Sequence, residues 1–268
     1  MWLSFMRKMV MWPLRRIKRN PVIGAVNKFL NRLFRKHRIK LSNILVNKFR
    51  ISRMLVPVEE LQQKYREALL YLTAKKNTEK LGDYLEFGVY QGTSLLCMDR
   101  ALKNLGLCHT RLFGFDSFEG LPLSADADVS KLWCQGQFKA DYEFTEEVLT
   151  KAGVDWDRVF LVKGFFESIL NKKIIKKHNI ARASVIMIDC DMYLSAKEAL
   201  NFCASLIHDE AVIFFDDWNC TGHNGGEKKA FAEFLRENSH FAAEEFGTYC
   251  SNAQVFRVFR KEKVNGKE

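Results

Sequence analysis

Asp216 and Asp217 stand side by side in FFDDWN, where the apolar run AVIFF ends. Two like charges at adjacent positions repel unless a cation or a substrate uses them. Another apolar run ends in a second pair of acids, Asp189 and Asp191, in SVIMIDCD. If the two runs are neighbouring strands, Asp189, Asp216 and Asp217 form one oxygen-rich site for a hard divalent cation, most simply Mg2+. Such a cation would remove the like-charge penalty. Without it, one carboxyl must take up a proton or find a basic partner. The plainer reading of Asp216 or Asp217 alone is a cap on the following helix.

Two other stretches bear on a cofactor. EFGVYQGTS places Gly88 and Gly92 on either side of Tyr90, with Thr93 and Ser94 opening a helix, so that the backbone can come close to a ligand. FDSFEG adds Asp116 and Ser117; a carboxylate at a strand end can accept hydrogen bonds from both ribose hydroxyls of an adenosine. Together they suit a nucleotide-like cofactor without separating NAD from S-adenosylmethionine. The first loop departs from G-x-G-x-x-G, however, and a carboxylate at Glu86 suits a cationic cofactor better than a pyrophosphate. This favours the sulfonium compound.

The elements that would position these residues follow from periodicity. Apolar runs at 84–90, 111–116, 158–164, 184–190 and 211–217 read as strands, and helical patterns lie between them at 93–105, 143–152, 166–178, 194–207 and 226–238. Leu61, Tyr65, Leu69 and Leu72 mark a helix leading into the first strand. Near-continuous apolar strands alternating with helices predict an α/β fold with a doubly wound, mostly parallel sheet covered on both faces. EEFGTYC and AQVFRVFRK, joined at Ser251-Asn252, predict a C-terminal antiparallel hairpin, which further favours S-adenosylmethionine. Ligands of such sheets bind beyond the carboxyl ends of the strands, where the acids and glycines gather.

The 268 residues, 47% of them hydrophobic, suffice for one large domain and an appendage. The net charge of +10 is unevenly distributed: residues 1–55 hold fifteen Lys and Arg and no acid, leaving 27 basic against 32 acidic residues in the remainder. We therefore expect a basic segment at 1–57 and a catalytic domain at 58–268, with the boundary near Pro57. Around Pro21 the segment reads as a basic amphipathic helix, with Val22, Val26, Phe29, Leu30 and Leu33 at helical spacing. It suits adsorption to an anionic membrane surface, with Trp2 and Trp12 at the interface, or a helical cap or homo-oligomer arm. No recognition motif accompanies the charge, which disfavours nucleic acid. Seven cysteines without a CxxC pair point to a reducing compartment rather than zinc or a disulfide framework. No run approaches the ~20 uncharged apolar residues of a membrane span, and no cleavage site follows the N-terminal apolar residues. The expected setting is cytoplasmic, with peripheral attachment at the inner membrane face if the basic segment adsorbs.

EFGVYQGTS, GFDSFEGLP, VKGFFES, IDCDMYLSAKEAL and FFDDW with the following GEKKAF resemble, in that order, the macrocin O-methyltransferase (TylF/MycF-like) family. The resemblance covers residues 80–260 and does not reach the basic segment. It implies a class I methyltransferase Rossmann-like fold, Mg2+ dependence and a hydroxyl acceptor, commonly on a sugar of a glycan or natural product. It also implies that Glu86, Gly88 and Ser94 hold the methionine part of S-adenosylmethionine, with Tyr90 and Thr93 in the same cofactor loop. Asp116 and Ser117 would serve the ribose and adenine side, Gly164 and Phe165 would line the adenine pocket, and Asp189, Asp216 and Asp217 would bind the metal. The chain departs from the family pattern in having Cys190 between the two acids and Asp209-Glu210 before the fifth strand, both positions where members often have Gly.

Methyl transfer from a sulfonium is an in-line displacement, so the protein must align the acceptor oxygen and help remove its proton. Asp191, two residues beyond Asp189, is the first candidate base, and His223 in TGHNGG is the second. Two rivals compete. Asp189-Cys190-Asp191 could be the D-x-D metal site of a nucleotide-sugar glycosyltransferase, which leaves Asp116 and EFGVYQG unexplained. A catalytically inactive membrane-surface adaptor would be expected to have lost rim acids, but all are present.

Overall fold

The computed structural model describes residues 56–75, 81–123, 133–220 and 225–261, which lie in one compact unit, Arg50–Glu268. The basic segment 1–55 and His223 fall outside the described residues. The seven strands are β1 Asp83–Phe87, β2 Leu112–Asp116, β3 Val159–Lys163, β4 Ala183–Ile188, β5 Glu210–Phe215, β6 Phe241–Gly247 and β7 Gln254–Arg260. The described helices are α1 Val58–Lys75, α2 Thr93–Asn104, α3 Tyr142–Lys151, α4 Phe166–Ile169, α5 Lys172–His178, α6 Tyr193–Cys203 and α7 Gly226–Glu237. Among the described residues no helix is long and apolar enough to cross a membrane.

The sheet order is β3-β2-β1-β4-β5-β7-β6. Strands β1 to β5 pair in parallel, β7 runs antiparallel to β5, and β6 forms the outer strand of the hairpin. Every residue of β1, β4 and β5 is buried, as expected of strands covered on both faces. Alternation divides the core in two. Leu85, Phe87, Phe115, Ile188 and Phe215 pack with α6 and α7, whereas Tyr84, Leu112, Val185, Val212 and Phe214 pack with α1 and α2. On the free edge of β6, the exposed Glu244 and Glu245 discourage pairing with another chain.

The five parallel strands and the hairpin occur where expected, with instructive differences. The predicted strands 84–90, 184–190 and 211–217 run two or three residues too far, because the chain leaves the ladder at Gly88, Asp189 and Asp216 to form the rim loops. The helix expected over 166–178 is two helices, because Asn171 interrupts it and caps α5, its side chain accepting N–H groups of Lys173 and Ile174. The hairpin connection spans residues 248–253 rather than Ser251-Asn252 alone.

Strand order reverses between β1 and β4, where parallel sheets bind ligands. There the Asp189 N–H donates to Phe87 O at 2.9 Å. Gly88, at φ 95°, lies so close to β4 that a Cβ would fall 1.8 Å from Asp189 O. Gly88→Ala must therefore push the two strand ends apart as well as strain its own backbone. We expect a loss of about 3 kcal/mol or more, read as a lower urea midpoint; an unchanged midpoint would contradict this close approach.

Candidate active site

Three loops meet at the carboxyl end of the sheet, and each contains a non-glycine residue with positive φ: Tyr90 at 52°, Phe118 at 56° and Asp191 at 63°. Such strain is characteristic of sites that fold and packing hold in a fixed geometry.

The β1–α2 loop is shaped by Asp116. Its Oδ2 accepts the backbone N–H groups of Val89 (2.8 Å) and Tyr90 (2.9 Å), and its Oδ1 accepts that of Phe118 (2.6 Å). Burial pushes the Asp116 carboxyl above its ordinary value, while these three donors pull the other way. Thr145 on α3 donates to Tyr90 O at 2.7 Å, and the Tyr90 ring stands edge-on to Phe138. Ser117 is committed to its own turn, donating to Gly120 O and accepting from the Glu119 N–H. Gly164 donates its N–H to Asp116 O, and Phe165 immediately precedes α4. Glycine loop, Asp116, Ser117, Gly164 and Phe165 thus lie along one side of the rim, with Thr93 and Ser94 at the start of α2.

Glu86 points inward from β1 and is fully buried. It accepts Ser94 Oγ at 2.6 Å and Tyr84 OH at 2.5 Å, and Tyr84 OH lies 2.9 Å from Tyr65 OH. The result is a polar chain from α1 through β1 to the first turn of α2. Burial is the largest influence on Glu86 and pushes its pKa to about 8. Its side-chain contacts are with Tyr84 beneath it and with Ser94, in the first turn of α2 next to the glycine loop.

The acids gather on the other side of the switch point. Register pairs Ile188 with Phe215, so Asp189 and Asp216-Asp217 leave adjacent strands together. One carboxylate oxygen from each of Asp189, Asp216 and Asp217 lies within 4.8 Å of the others, and all three side chains are half-buried. Burial, then the charges of Asp216, Asp217 and Asp191, raise the Asp189 pKa well above the usual carboxylate range. Asp191 is raised likewise, first by burial and then by Asp217. The donor set of three carboxylate oxygens at adjacent strand ends fits a hard divalent cation.

Several residues supporting this group lacked a sequence signal. Tyr249 donates its hydroxyl to Asp216 Oδ1 from the β6–β7 connection. Glu227, in the first turn of α7, accepts the Asp217 N–H at 3.1 Å. The indole of DDWN is a packing group, its ring centroid 5.1 Å from that of Phe215 and 4.8 Å from that of Phe256. Beside Asp191, Met192 and Trp133 form a small apolar cluster with Leu121 and Phe138.

Comparison with known proteins bears on the fold and the family. Curated proteins give no match. Among solved structures, the O-methyltransferase NovP superposes with a TM-score of 0.60 at 17% identity over 76% of this chain and 80% of its own. The calicheamicin methyltransferase CalS11 gives 0.57 at 19% identity, over 91% and 94%, and its ligand-free form is described as a TDP-rhamnose 3'-O-methyltransferase. A Bacillus cereus O-methyltransferase in complex with SAH gives 0.50 at 15% identity, over 88% and 97%. At these identities the likeness is one of fold, that of the class I methyltransferases.

Glu86 provides a pH test of the polar chain. The folded state holds its proton up to about 8 while the unfolded chain releases it near 4.5. The associated stability is therefore complete below the lower value and lost as pH rises to the upper one. One pKa unit is worth about 1.4 kcal/mol, so the wild type should lose a few kcal/mol relative to Glu86→Gln between acidic and mildly alkaline pH. Urea unfolding at both ends of that window checks this; parallel pH dependence of the two proteins would contradict it.

The macrocin O-methyltransferase (TylF) family profile matches residues 63–243, from α1 to β6. The chain belongs to this family of S-adenosylmethionine-dependent O-methyltransferases.

Proposed function

We propose that the protein is a Mg2+-dependent O-methyltransferase that moves a methyl group from S-adenosylmethionine to a hydroxyl of a saccharide. The observation that carries this reading is the meeting, at one switch point, of a glycine loop with a triplet of carboxylates on β4 and β5. The saccharide class is supported by family membership and by the rhamnose acceptor named for CalS11.

The cofactor would lie over the glycine loop. Gly88, Tyr90, Thr93 and Ser94 would hold its methionine end, with Glu86 acting through Ser94, whose hydroxyl it accepts. The ribose would lie towards Asp116, whose carboxylate fixes the loop by accepting the Val89 and Tyr90 N–H groups and keeps acceptor capacity for hydroxyls. Ser117, Gly164 and Phe165 would border the adenine. Asp189, Asp216 and Asp217 would hold Mg2+, which when bound supplies positive charge to orient a sugar hydroxyl and lower its pKa.

In the transfer step an acceptor oxygen displaces the sulfur in line: the O–CH3 bond forms, the S–CH3 bond breaks, and the sulfur takes the electron pair as S-adenosylhomocysteine. The hydroxyl proton goes to a base. Asp191, beside Asp217 on a backbone held at positive φ, is the first candidate for this role, and His223 is the second. The apolar group around Met192 and Trp133 limits water near Asp191.

Two substitutions test the assignments. Asp217→Asn should reduce Mg2+-dependent turnover by at least about 100-fold while calorimetry shows unchanged S-adenosylmethionine binding; retained turnover would remove Asp217 from the metal site. Asp191→Asn should lower turnover about 100-fold or more and abolish the acidic limb of its pH profile, where the base takes up its proton. If His223→Ala does this instead, the base is His223.

A further inference from the structure

A fourth carboxyl is buried against the acid triplet without a role in the chemistry above. Glu227 opens α7 and is 0% exposed. Its Oε2 accepts the Asp217 N–H at 3.1 Å, whereas the equally buried Oε1 has no hydrogen-bond partner among the described residues. A buried acceptor without a donor costs about 1–3 kcal/mol. The groups acting on it are chiefly acids: Asp217, Asp216 and Asp191 each oppose its charge. Neither of the next two lysines answers it. Lys228 bonds to Asn219 at 2.8 Å and lies over the Trp218 ring, and Lys229 lies 4.2 Å over the Tyr193 ring. The start of α7 offers partial positive charge, which tolerates an acid there but leaves Oε1 without a donor.

The same carboxyl joins two parts of the rim. By accepting the Asp217 N–H it ties the end of β5 to the start of α7, across residues 218–226. The DDWN turn is anchored further by the Asn219 N–H to Asn252 O at 2.9 Å and Asn219 Nδ2 to Ser251 O at 2.9 Å. One end of this carboxyl thus fixes a ligand-bearing backbone, and the other is an unfilled acceptor among the acids.

We propose that Glu227 is a positioning residue of the cation centre: Oε2 fixes the Asp217 backbone, and Oε1 accepts a hydrogen bond from water carried by the bound cation. This rests on the Mg2+ reading above. Glu227→Gln keeps the size and an oxygen for the Asp217 N–H, but places an amide donor where an acceptor is required. Loss of such an outer partner weakens metal affinity by about 10–100-fold.

The test uses the full chain and Mn2+ as a paramagnetic probe, with free Mn2+ followed by electron paramagnetic resonance. S-adenosylmethionine binding without metal and the thermal midpoint serve as controls. Glu227→Gln should bind Mn2+ about ten-fold more weakly or worse, with cofactor affinity unchanged and a single cooperative thermal transition. Should that variant fold poorly, Glu227→Ala replaces it with the same expectation. Mn2+ affinity within about two-fold of wild type overturns the role of Glu227 alone. If wild type binds no Mn2+, or binds it equally well after Asp189→Asn, the Mg2+ reading falls and this inference with it.

Discussion

Repulsion among carboxylates is the constraint around which this end of the molecule is built. Asp189, Asp216 and Asp217 bring oxygens within 4.8 Å of one another, with Asp191 and Glu227 close by. Flexible side chains in water would move apart. Here they cannot, because β4 and β5 are buried along their whole lengths and paired in fixed register. Apolar strands thus hold together groups that would separate on their own, and Tyr249 and Glu227 anchor the acids from the hairpin connection and α7.

The same sheet reversal joins the acid group to the cofactor side. Gly88 is the hinge between them: its missing Cβ lets the end of β1 lie against Asp189, so the glycine loop and the acids share one rim. Asp116 then folds the loop through the N–H groups of Val89 and Tyr90. Glu86 and Ser94 link the opening of α2 to the polar chain beneath it. Two loops at this rim are thus each tied down by a carboxyl, Asp116 on one side and Glu227 on the other.

Much of this was legible in the sequence because it lies at the ends of apolar runs. Such a run followed by acids announces both a buried strand and the residues that leave it, so Asp189, Asp216 and Asp217 could be placed together from composition and order. Strand ends could not be read, since AVIFFDD does not show that the ladder stops at Phe215. Nor could side-chain direction: Glu86 points into the core because strand residues alternate, and Asp116 spends acceptor capacity on backbone donors that no motif encodes. Glu227 looks like an ordinary acid in a first helical turn, and Tyr249 like a residue of a hairpin connection. Their roles arise from long-range packing of α7 and β7 against β5.

The most direct measurement is an anomalous difference map from crystals of the full chain grown with Mn2+ and S-adenosylmethionine. Three-carboxylate coordination predicts one strong peak about 2.1–2.2 Å from oxygens of Asp189, Asp216 and Asp217, on the acid side of the switch point, with the cofactor over the glycine loop. A peak held by other residues, or a bound cofactor with no peak at this rim, would contradict it.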